Sequence, residues 1–247
     1  GRILISHLHG DHYLGLMGLI SSMHLMGRTT PLHVHGPAPL KEIIDVQLRA
    51  SSTWLRYPLH VHVTAPESGR VVFADERVTV TALALKHRIV CTGFVFTESP
   101  ALRSLRRETL PIIPHFKRQA VKQGEDLVLP DGTRYPNIDL TLDPPPQRRY
   151  AYCSDTAYEP ALAPFIQGVE LLYHEATFTE QLRARATETM HSTAAQAARL
   201  ALEASVGRLL LGHFSSRYKS ADELLAEARP IFPNTLLSAE GATYAVD

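Results

Sequence analysis

The chain has 247 residues, of which 45% are hydrophobic and 20% are charged, and its 25 basic residues balance its 25 acidic ones. This length and composition are typical of one large globular domain and exclude a disordered, collagen-like or coiled-coil protein. No apolar run approaches the ~20 residues of a membrane span, so we expect no membrane partner. The two cysteines are too few for a disulfide scaffold, which favours a reducing compartment.

Short β-branched runs alternate with helical patterns along the chain. Nine runs predict strands: Ile3–Ser6, Leu32–His35, Leu59–Val63, Val71–Ala74, Val78–Leu83, Gly93–Phe96, Tyr150–Ser154, Leu171–His174 and Leu209–Leu211. Four patterns predict helices: Asp11–Leu25, Pro39–Leu55, Ser192–Ser205 and Ala221–Ala228. Strands that alternate with helices predict a layered α/β fold. Because the first residues already have a strand pattern, we expect further residues upstream of Gly1.

Residues 101–124 differ in charge from the rest of the chain. This segment has six basic residues and a single acidic one, Glu108, so its net charge is +5 and the remainder of the chain carries −5. The basic residues are Arg103, Arg106, Arg107, Lys117, Arg118 and Lys122. The pattern favours a basic excursion from the domain, and a solvated loop with a chance cluster of charge is the alternative.

Four potential metal ligands fall within six residues, HLHGDH, where a strand ends and a helix begins. His7 and His9 are two residues apart, so their side chains point the same way from an extended chain. Gly10 permits a tight turn, after which Asp11 and His12 can face back from the first helical turn. Imidazole and carboxylate ligands suit zinc or a similar divalent metal. The motif therefore predicts a metal site.

Two further His-x-His pairs lie at residues 33–35 and 60–62, in predicted strands. No acidic residue stands beside them, and a pair of this kind is weak evidence for metal binding. We therefore expect these four histidines to be structural or to lie at the surface.

The HxHxDH pattern at a strand end resembles the metallo-β-lactamase superfamily, whose fold is a four-layer αββα sandwich with a two-metal site at one edge. That superfamily takes its other ligands from single residues at strand ends, and the matching positions are His87, Asp155 and His213. The resemblance implies one such domain over residues 1–247 with seven metal ligands. They are His7, His9, Asp11, His12, His87, Asp155 and His213.

Within that superfamily the chain is similar to the ribonuclease Z family of tRNA 3′-processing endonucleases. The motifs that carry this similarity are SHLHGDH (6–12), SDT (154–156), HEATF (174–178), HSTAAQAA (191–198) and GHFSSRY (212–218). Segment 101–124 lies between His87 and Asp155, where that family inserts its tRNA-clamping arm. Two features depart from the family pattern. The arm has Ile113-Pro114 in place of a Gly-Pro pair, and the family's N-terminal strands are absent from this sequence.

The resemblance implies two zinc ions per subunit, with manganese or iron as alternatives. One ion would be held by His7, His9 and His87, the other by Asp11, His12 and His213, and Asp155 would bridge the two. The implied reaction removes the 3′ trailer from precursor tRNA and leaves a 3′-hydroxyl on the tRNA.

The resemblance also implies roles for single residues. Asp11 would orient the attacking water or accept its proton, and His191, oriented by Glu175, would protonate the leaving 3′-oxygen. Arg217 would hold a substrate phosphate. The arm would grip the tRNA backbone from one subunit of a homodimer while the other subunit's site cuts, and the RNA substrate points to the cytoplasm.

Two alternatives stay open on the residues alone. The first is a small-substrate metallo-hydrolase of the same fold, such as a phosphodiesterase, lactonase or thioesterase, although such an enzyme has no need of a basic arm. The second is an inactive RNA-binding fragment, although no ligand position is lost.

Overall fold

Fourteen strands and eight helices make up the chain, and the computed structural model describes all of residues 1–247. The strands are β1 (Arg2–Leu4), β2 (Leu32–Gly36), β3 (Leu59–Val63), β4 (Val71–Ala74), β5 (Val78–Leu85), β6 (Cys91–Glu98), β7 (Ser104–Leu105), β8 (Leu127–Val128), β9 (Arg134–Tyr135), β10 (Thr141–Leu142), β11 (Arg149–Cys153), β12 (Leu171–Glu175), β13 (Arg208–Gly212) and β14 (Thr235–Leu237). The helices are α1 (Gly10–Tyr13), α2 (Gly15–Leu25), α3 (Leu40–Ala50), α4 (Arg118–Lys122), α5 (Asn137–Leu140), α6 (Arg183–Thr189), α7 (Ala194–Glu203) and α8 (Asp222–Ala228). None of the helices combines the length and the apolarity that crossing a membrane requires.

The chain divides into two compact units, and the larger one combines residues 1–97 with residues 148–247. One of its sheets has the strand order β1-β2-β3, with all three strands parallel. Alternate residues of β2, Leu32 and Val34, are buried against Ile20 of α2 and Ile44 of α3. Helices α2 and α3 therefore cover one face of this sheet.

The second sheet of the larger unit has seven strands in the order β14-β13-β12-β11-β6-β5-β4. Strands β11 to β14 are parallel to one another, whereas β11 pairs with β6 in the antiparallel sense. Leu200 of α7 and Leu224 of α8 are buried with Leu209 and Leu211 of β13 in one apolar cluster. The alanines of α7 allow this helix to approach the sheet closely, so α7 and α8 form the outer layer here.

Contacts between the two sheets involve their other faces. The guanidinium of Arg2 on β1 lies 4.3 Å from the ring centroid of Phe73 on β4. The ring of His35 on β2 lies 5.4 Å from the same Phe73 ring. With helices on both outer faces, the larger unit has the layered α/β arrangement that the sequence pattern predicts.

The predicted helices differ from the observed ones in their bounds. The pattern over Asp11–Leu25 forms two helices, α1 and α2, separated at Leu14. The pattern over Pro39–Leu55 ends early, because Ser51 caps the helix by donating to the Gln47 carbonyl at 2.9 Å and Ser52 has a left-handed φ of 49°. Helix α6 and strand β14 were not predicted, since both are short and have no clear apolar period.

The smaller unit spans residues 98–147 and contains the basic segment 101–124. Two short antiparallel pairs, β7 with β10 and β8 with β9, are accompanied by helices α4 and α5. Ile113, Val121, Leu127 and Leu140 form its own buried cluster. The unit has seven basic and seven acidic residues, and six of the seven basic ones lie in segment 101–124. Its positive charge is therefore confined to one half of its sequence.

Candidate metal centre

Strand ends of the larger unit bring distant residues together. Asp155 follows β11 by two residues, Glu175 is the last residue of β12, and His213 comes directly after β13. Because β11, β12 and β13 are parallel, their carboxyl ends meet at one edge of the sheet, where α/β proteins place their ligand sites. His7 reaches the same place three residues beyond β1.

Asp155 lies at the middle of the histidines and is only 2% exposed. Its Oδ2 atom is 3.6 Å from Nε2 of His7 and 3.8 Å from Nε2 of His87. Its Oδ1 atom is 3.4 Å from Nε2 of His12 and 3.4 Å from Nε2 of His213. The two oxygens of one carboxylate thus face two different groups of imidazoles.

The first group consists of His7, His9 and His87. Nδ1 of His9 is 3.1 Å from Nε2 of His7 and 3.3 Å from Nε2 of His87. Together with an oxygen of Asp155, these nitrogens all lie within 4.8 Å of one another. Four donor atoms so close together have the spacing of ligands around one metal ion.

The second group consists of Asp11, His12 and His213, whose donor atoms also lie within 4.8 Å of one another. Oδ2 of Asp11 is 3.3 Å from Nε2 of His12, and the Asp11 side chain is 70% exposed. This group therefore lies at the open side of the centre, whereas His7 and Asp155 are buried.

Hydrogen bonds on the outer side of three rings determine which nitrogen faces inward. Nδ1 of His87 lies 2.9 Å from the Met190 carbonyl, to which only an N–H can donate. Nδ1 of His213 lies 2.8 Å from Oγ1 of Thr177, and Nδ1 of His7 lies 3.1 Å from Oγ of Ser6. With the outer nitrogens bonded in this way, the Nε2 atoms are left to act as metal ligands.

The donors fit a divalent metal. Nε2 of His12 is buried and makes no hydrogen bond. A neutral imidazole has one N–H, so the nitrogens of His7, His9 and His87 cannot all satisfy one another. A cation among them resolves this conflict, and a set of nitrogens and carboxylate oxygens suits zinc.

The pKa values favour the ligand forms of these side chains. Burial, followed by the charge of His12, lowers the pKa of His7 to about 4. Burial also lowers the pKa of His87, so both rings are neutral near pH 7. Burial on its own would raise the pKa of Asp155, but the surrounding His213, His12 and His7 outweigh it, and the net pKa is lowered. Neutral imidazoles around a carboxylate are the protonation states that bind a metal.

Glu175 and His191 form a pair beside the ligand groups. The Glu175 carboxylate is fully buried and accepts a bond of 2.8 Å from Nδ1 of His191. It also accepts bonds from the Thr156 amide at 2.9 Å, from the Thr177 amide at 3.0 Å and from the Thr177 hydroxyl at 2.6 Å. Burial lowers the pKa of His191, but the hydrogen bond to Glu175 and the charge of Glu175 outweigh it, so the net pKa is raised.

Thr177 connects this pair to the second ligand group. Thr177 was not among the site residues identified from the sequence. Its hydroxyl donates to Glu175, since a carboxylate only accepts, and its oxygen therefore accepts from Nδ1–H of His213. Thr177 belongs to the HEATF motif, which was the available signal, but no periodicity identifies a hydroxyl as a link between two other side chains.

The backbone at the end of β13 is specialised to direct His213 inward. His213 has a left-handed φ of 57°, a conformation that is uncommon for non-glycine residues. Glycine precedes it, and a Cβ at Gly212 would overlap the Tyr173 ring unless that ring moved. The GHF sequence thus makes a turn that the strand pattern alone does not show.

The remaining predicted site residues lie elsewhere. Arg217 is exposed in the loop after β13, and its side chain makes no hydrogen bond. In the smaller unit, Arg103 contacts Oδ1 of Asp143 at 2.6 Å and Arg118 donates to the carbonyls of Leu110 and Ile113. Four basic side chains make no ion pair or hydrogen bond: Arg106, Arg107, Lys117 and Lys122.

Several known proteins of similar sequence are named ribonuclease Z. Ribonuclease Z of Bacteroides fragilis is 46% identical over 241 residues, which cover 97% of this chain and 79% of the relative. Ribonuclease Z of Bacteroides thetaiotaomicron is 43% identical over 248 residues, which cover 100% of this chain and 78% of the relative. The chain belongs to the ribonuclease Z family. It is therefore a hydrolase of the endoribonuclease class.

Solved structures agree with the family in fold. The short form of human tRNase Z superposes with a TM-score of 0.67 at 23% identity. The superposition covers 100% of this chain and 79% of the human chain. The metallo-β-lactamase fold protein YhfI of Bacillus subtilis superposes with a TM-score of 0.64 at 19% identity, covering 98% and 76% of the two chains. The metallo-β-lactamase fold expected from the motifs is confirmed. A scan of protein-family profiles finds no match.

Proposed function

We propose that this ribonuclease Z family member removes the 3′ trailer from precursor tRNA, leaves a 3′-hydroxyl on the tRNA, and uses two zinc ions to do so. The observation that carries the proposal is the position of Asp155, whose two carboxylate oxygens face two separate groups of ligands 3.4–3.8 Å away. A carboxylate placed between two such groups suits a two-metal phosphodiesterase, in which the two ions lie close together.

The residues that would hold the metals are the seven identified by motif. His7, His9 and His87 would hold one ion, Asp11, His12 and His213 the other, and Asp155 both. When bound, zinc supplies Lewis-acid chemistry, which draws charge from the phosphodiester oxygens and makes water a stronger acid. Manganese and iron bind the same nitrogen and oxygen donors and are the alternatives.

Asp11 has the exposure and the chemistry to act on the attacking water. Its carboxylate is 70% exposed at the open side of the centre and lies 3.3 Å from His12. An ionised carboxylate here can accept a hydrogen bond from water, orient its lone pair toward phosphorus, and take up a proton as the new P–O bond forms.

His191 would protonate the leaving group. Its ring lies 5.1 Å from that of His87 and 5.3 Å from that of His213, so it borders both ligand groups. Glu175 accepts a hydrogen bond from Nδ1–H and raises the pKa of His191, which favours the protonated ring. As the P–O3′ bond breaks, the 3′-oxygen takes this proton, and the phosphate remains on the trailer.

The basic residues of segment 101–124 and Arg217 would bind the RNA backbone. Arg106, Arg107, Lys117 and Lys122 are free to contact phosphates, whereas Arg103 and Arg118 are engaged within the smaller unit. Backbone contacts of this kind give affinity without reading sequence, so the shape of the folded tRNA and its single-stranded 3′ end would give specificity. In this proposal residues 1–247 are a single catalytic domain in which segment 101–124 is the tRNA-binding arm.

We further propose a homodimer that works in the cytoplasm. Leu25, Met26 and Trp54 are 81%, 77% and 87% exposed in and beside α2 and α3, and apolar side chains so exposed favour burial against a second copy. The two cysteines are free thiols, which agrees with a reducing compartment. Sedimentation equilibrium of the chain and of Trp54→Ser would test the dimer, and cell fractionation would test the location.

The reaction is tested by cleavage of a precursor tRNA that carries a 3′ trailer. The zinc-loaded chain, Asp155→Asn and the matched control Asp222→Asn, an exposed carboxylate on α8, are compared, and both ends of each product are mapped. We expect the zinc-loaded wild type and Asp222→Asn to cut the precursor once, at the mature 3′ end of the tRNA. We expect Asp155→Asn to make no cut.

The same samples separate this function from a small-substrate hydrolase. A folded chain that holds metal, leaves precursor tRNA uncut and hydrolyses a thioester, a lactone or a small phosphodiester would overturn the proposal. Binding of tRNA without cleavage by the metal-loaded chain would instead indicate an inactive RNA-binding protein.

A further inference from the structure

Helices α2, α3, α6 and α7 end in the same backbone turn. In each turn one amide N–H donates to the carbonyl three residues before it, and the next amide N–H donates to the carbonyl five residues before it. This is the Schellman motif, which satisfies free carbonyls at a helix end. The first of the two donors has a left-handed φ, and the four residues are Gly27 at 79°, Ser52 at 49°, Met190 at 55° and Ser205 at 49°. The four helix ends therefore share one geometry and differ in sequence.

The turn after α6 has an unusual residue at the left-handed position. Glycine favours this conformation because it has no Cβ, and the two serines have short side chains. Met190 has a long side chain, and left-handed φ values are uncommon for such residues. Helix α6 has only seven residues, so it does not enforce the turn by its own stability. Contacts beyond the helix must therefore hold this turn in place.

The peptide group that joins Met190 to His191 has a hydrogen-bond partner at each end. Its carbonyl accepts a bond of 2.9 Å from Nδ1 of His87, which is 103 positions away in the chain. Its N–H donates to the carbonyl of Ala186 at 2.9 Å, and Ala186 is buried. Because a peptide group is planar, the two bonds together fix its orientation.

This one peptide group connects two residues of the candidate site. The outer nitrogen of His87 is bonded to it, so Nε2 keeps its lone pair for the first ligand group. His191 begins at the same peptide group, and its ring lies 5.1 Å from the ring of His87. The direction of the shared carbonyl depends on the backbone angles of Met190, a φ of 55° and a ψ of 50°. Both histidines therefore depend on one left-handed residue.

We propose that Met190 is a positioning residue of the cleavage reaction. Its left-handed turn aims one peptide group, which sets the tautomer of His87 and the place of His191 together. The roles of the two histidines as metal ligand and proton donor are those of the proposed function, on which this inference rests. Loss of the turn should weaken zinc binding by about 10–100-fold, the usual effect of removing a hydrogen-bond partner of a metal ligand.

Three variants separate the turn from the side chain that occupies it. Met190→Val introduces a β-branched residue, for which a left-handed φ is strongly unfavourable. Met190→Gly removes the same side chain but adopts the turn freely. Ser205→Val places the same strain in the equivalent, exposed turn after α7 and is the matched control. Both valine variants should lose stability, whereas only Met190→Val should disturb the site.

Nitrogen NMR of the histidine rings in the whole chain, stripped of metal, measures the tautomer of His87. The wild type, Met190→Gly and Ser205→Val should carry the proton on Nδ1, and Met190→Val should carry it partly or wholly on Nε2. Hydrogen exchange of the His191 amide should become faster in Met190→Val, because its bond to the Ala186 carbonyl is lost. Zinc affinity, measured by competition with a chromophoric chelator, should fall in Met190→Val and not in Ser205→Val.

None of these measurements uses RNA, so they stay decisive for Met190 even if the chain leaves precursor tRNA uncut and the proposed function fails. A proton on Nδ1 of His87 in folded Met190→Val, or a zinc affinity there equal to that of the wild type, would exclude the positioning role. A wild-type His87 protonated on Nε2 would exclude it without any variant. If Met190→Val does not fold, Met190→Thr, which is also β-branched, replaces it under the same criteria.

Discussion

The Glu175 carboxylate is fully buried and accepts four hydrogen bonds. These bonds fix the orientation of the groups that donate them. The bond from His191 raises the pKa of that ring and so favours its protonated form, and the two bonds from Thr177 orient the hydroxyl that reaches His213. One buried charge therefore influences both the proposed proton donor and, through Thr177, a proposed metal ligand. At the residue scale, Glu175, Thr177 and His191 form a hydrogen-bond network around the proposed metal ligands.

Replacing the charge of Glu175 should change the pH dependence of cleavage. As the proposed proton donor, His191 would act when protonated, so activity is expected below its pKa and should be lost as the pH rises through that pKa. Glu175 raises this pKa, so Glu175→Gln should move the alkaline limb of kcat to lower pH and reduce kcat by about 10-fold to 10³-fold at neutral pH. The measurement is a pH–rate profile on precursor tRNA.

The control for this profile is Glu188→Gln, an exposed residue of α6 that pairs with Arg185. Its alkaline limb should coincide with that of the wild type. An unshifted limb in a folded Glu175→Gln protein would show that His191 is not the group that titrates.

Thr177 should contribute to metal affinity without touching metal. Removing its hydroxyl in Thr177→Val leaves Nδ1–H of His213 without an acceptor, and the loss of such outer partners typically costs about 10–100-fold in metal affinity. Thr177→Ser retains the hydroxyl and should bind zinc as the wild type does. Competition with a chromophoric chelator measures the affinity, and equal zinc affinity in Thr177→Val would contradict the role.

At the scale of elements, helix α7 connects the HSTAAQAA motif to the apolar core. Its first turn has a capping box, in which the Thr193 hydroxyl accepts from the Gln196 amide at 3.2 Å and the Gln196 side chain accepts from the Thr193 amide at 2.9 Å. The same hydroxyl donates to Glu180 at 2.8 Å. Because His191 lies only two residues before Thr193, this cap also holds the backbone of the proposed proton donor.

Loss of the cap should destabilise the fold. Thr193→Ala removes both side-chain bonds of a fully buried residue, so we expect the free energy of unfolding to fall by about 1–2 kcal/mol. Thr193→Ser preserves the hydroxyl and should lose much less. Urea unfolding followed by circular dichroism gives both values, and equal midpoints for the alanine variant and the wild type would exclude the cap as a source of stability.

Charge is distributed unevenly over the whole molecule. The chain is neutral, yet segment 101–124 carries +5. Part of that charge is neutralised or used internally, since Arg103 pairs with Asp143 and Arg118 binds two carbonyls. The exposed and unpaired Lys117 represents the part that remains available to an anionic polymer.

Binding of precursor tRNA should therefore depend on salt through this segment. Each phosphate contact contributes about 0.7–0.9 to the slope of log affinity against log salt. Lys117→Gln should lower that slope by about one such contact and weaken binding at low salt. Filter binding over a salt series provides the measurement, with Arg185→Gln as a control of equal charge change in α6. A slope that is unchanged in Lys117→Gln would remove this lysine from the RNA interface.

Local sequence patterns were sufficient to predict the layered fold and the position of a metal site. The HLHGDH motif predicted a metal site because its ligands are neighbours in the chain, and alternating strands and helices predicted the layered fold because burial repeats with a period of 2 or 3.6. The family motifs extended the ligand set to His87, Asp155 and His213 by resemblance.

Only the tertiary structure decided how distant residues meet. It divided the oxygens of Asp155 between two ligand groups, made Thr177 a link between Glu175 and His213, and set His33 against His62 from the next strand. The physical reason is the same in each case: strand pairing and register place side chains tens of residues apart within 4 Å, and no local period of the sequence contains that information.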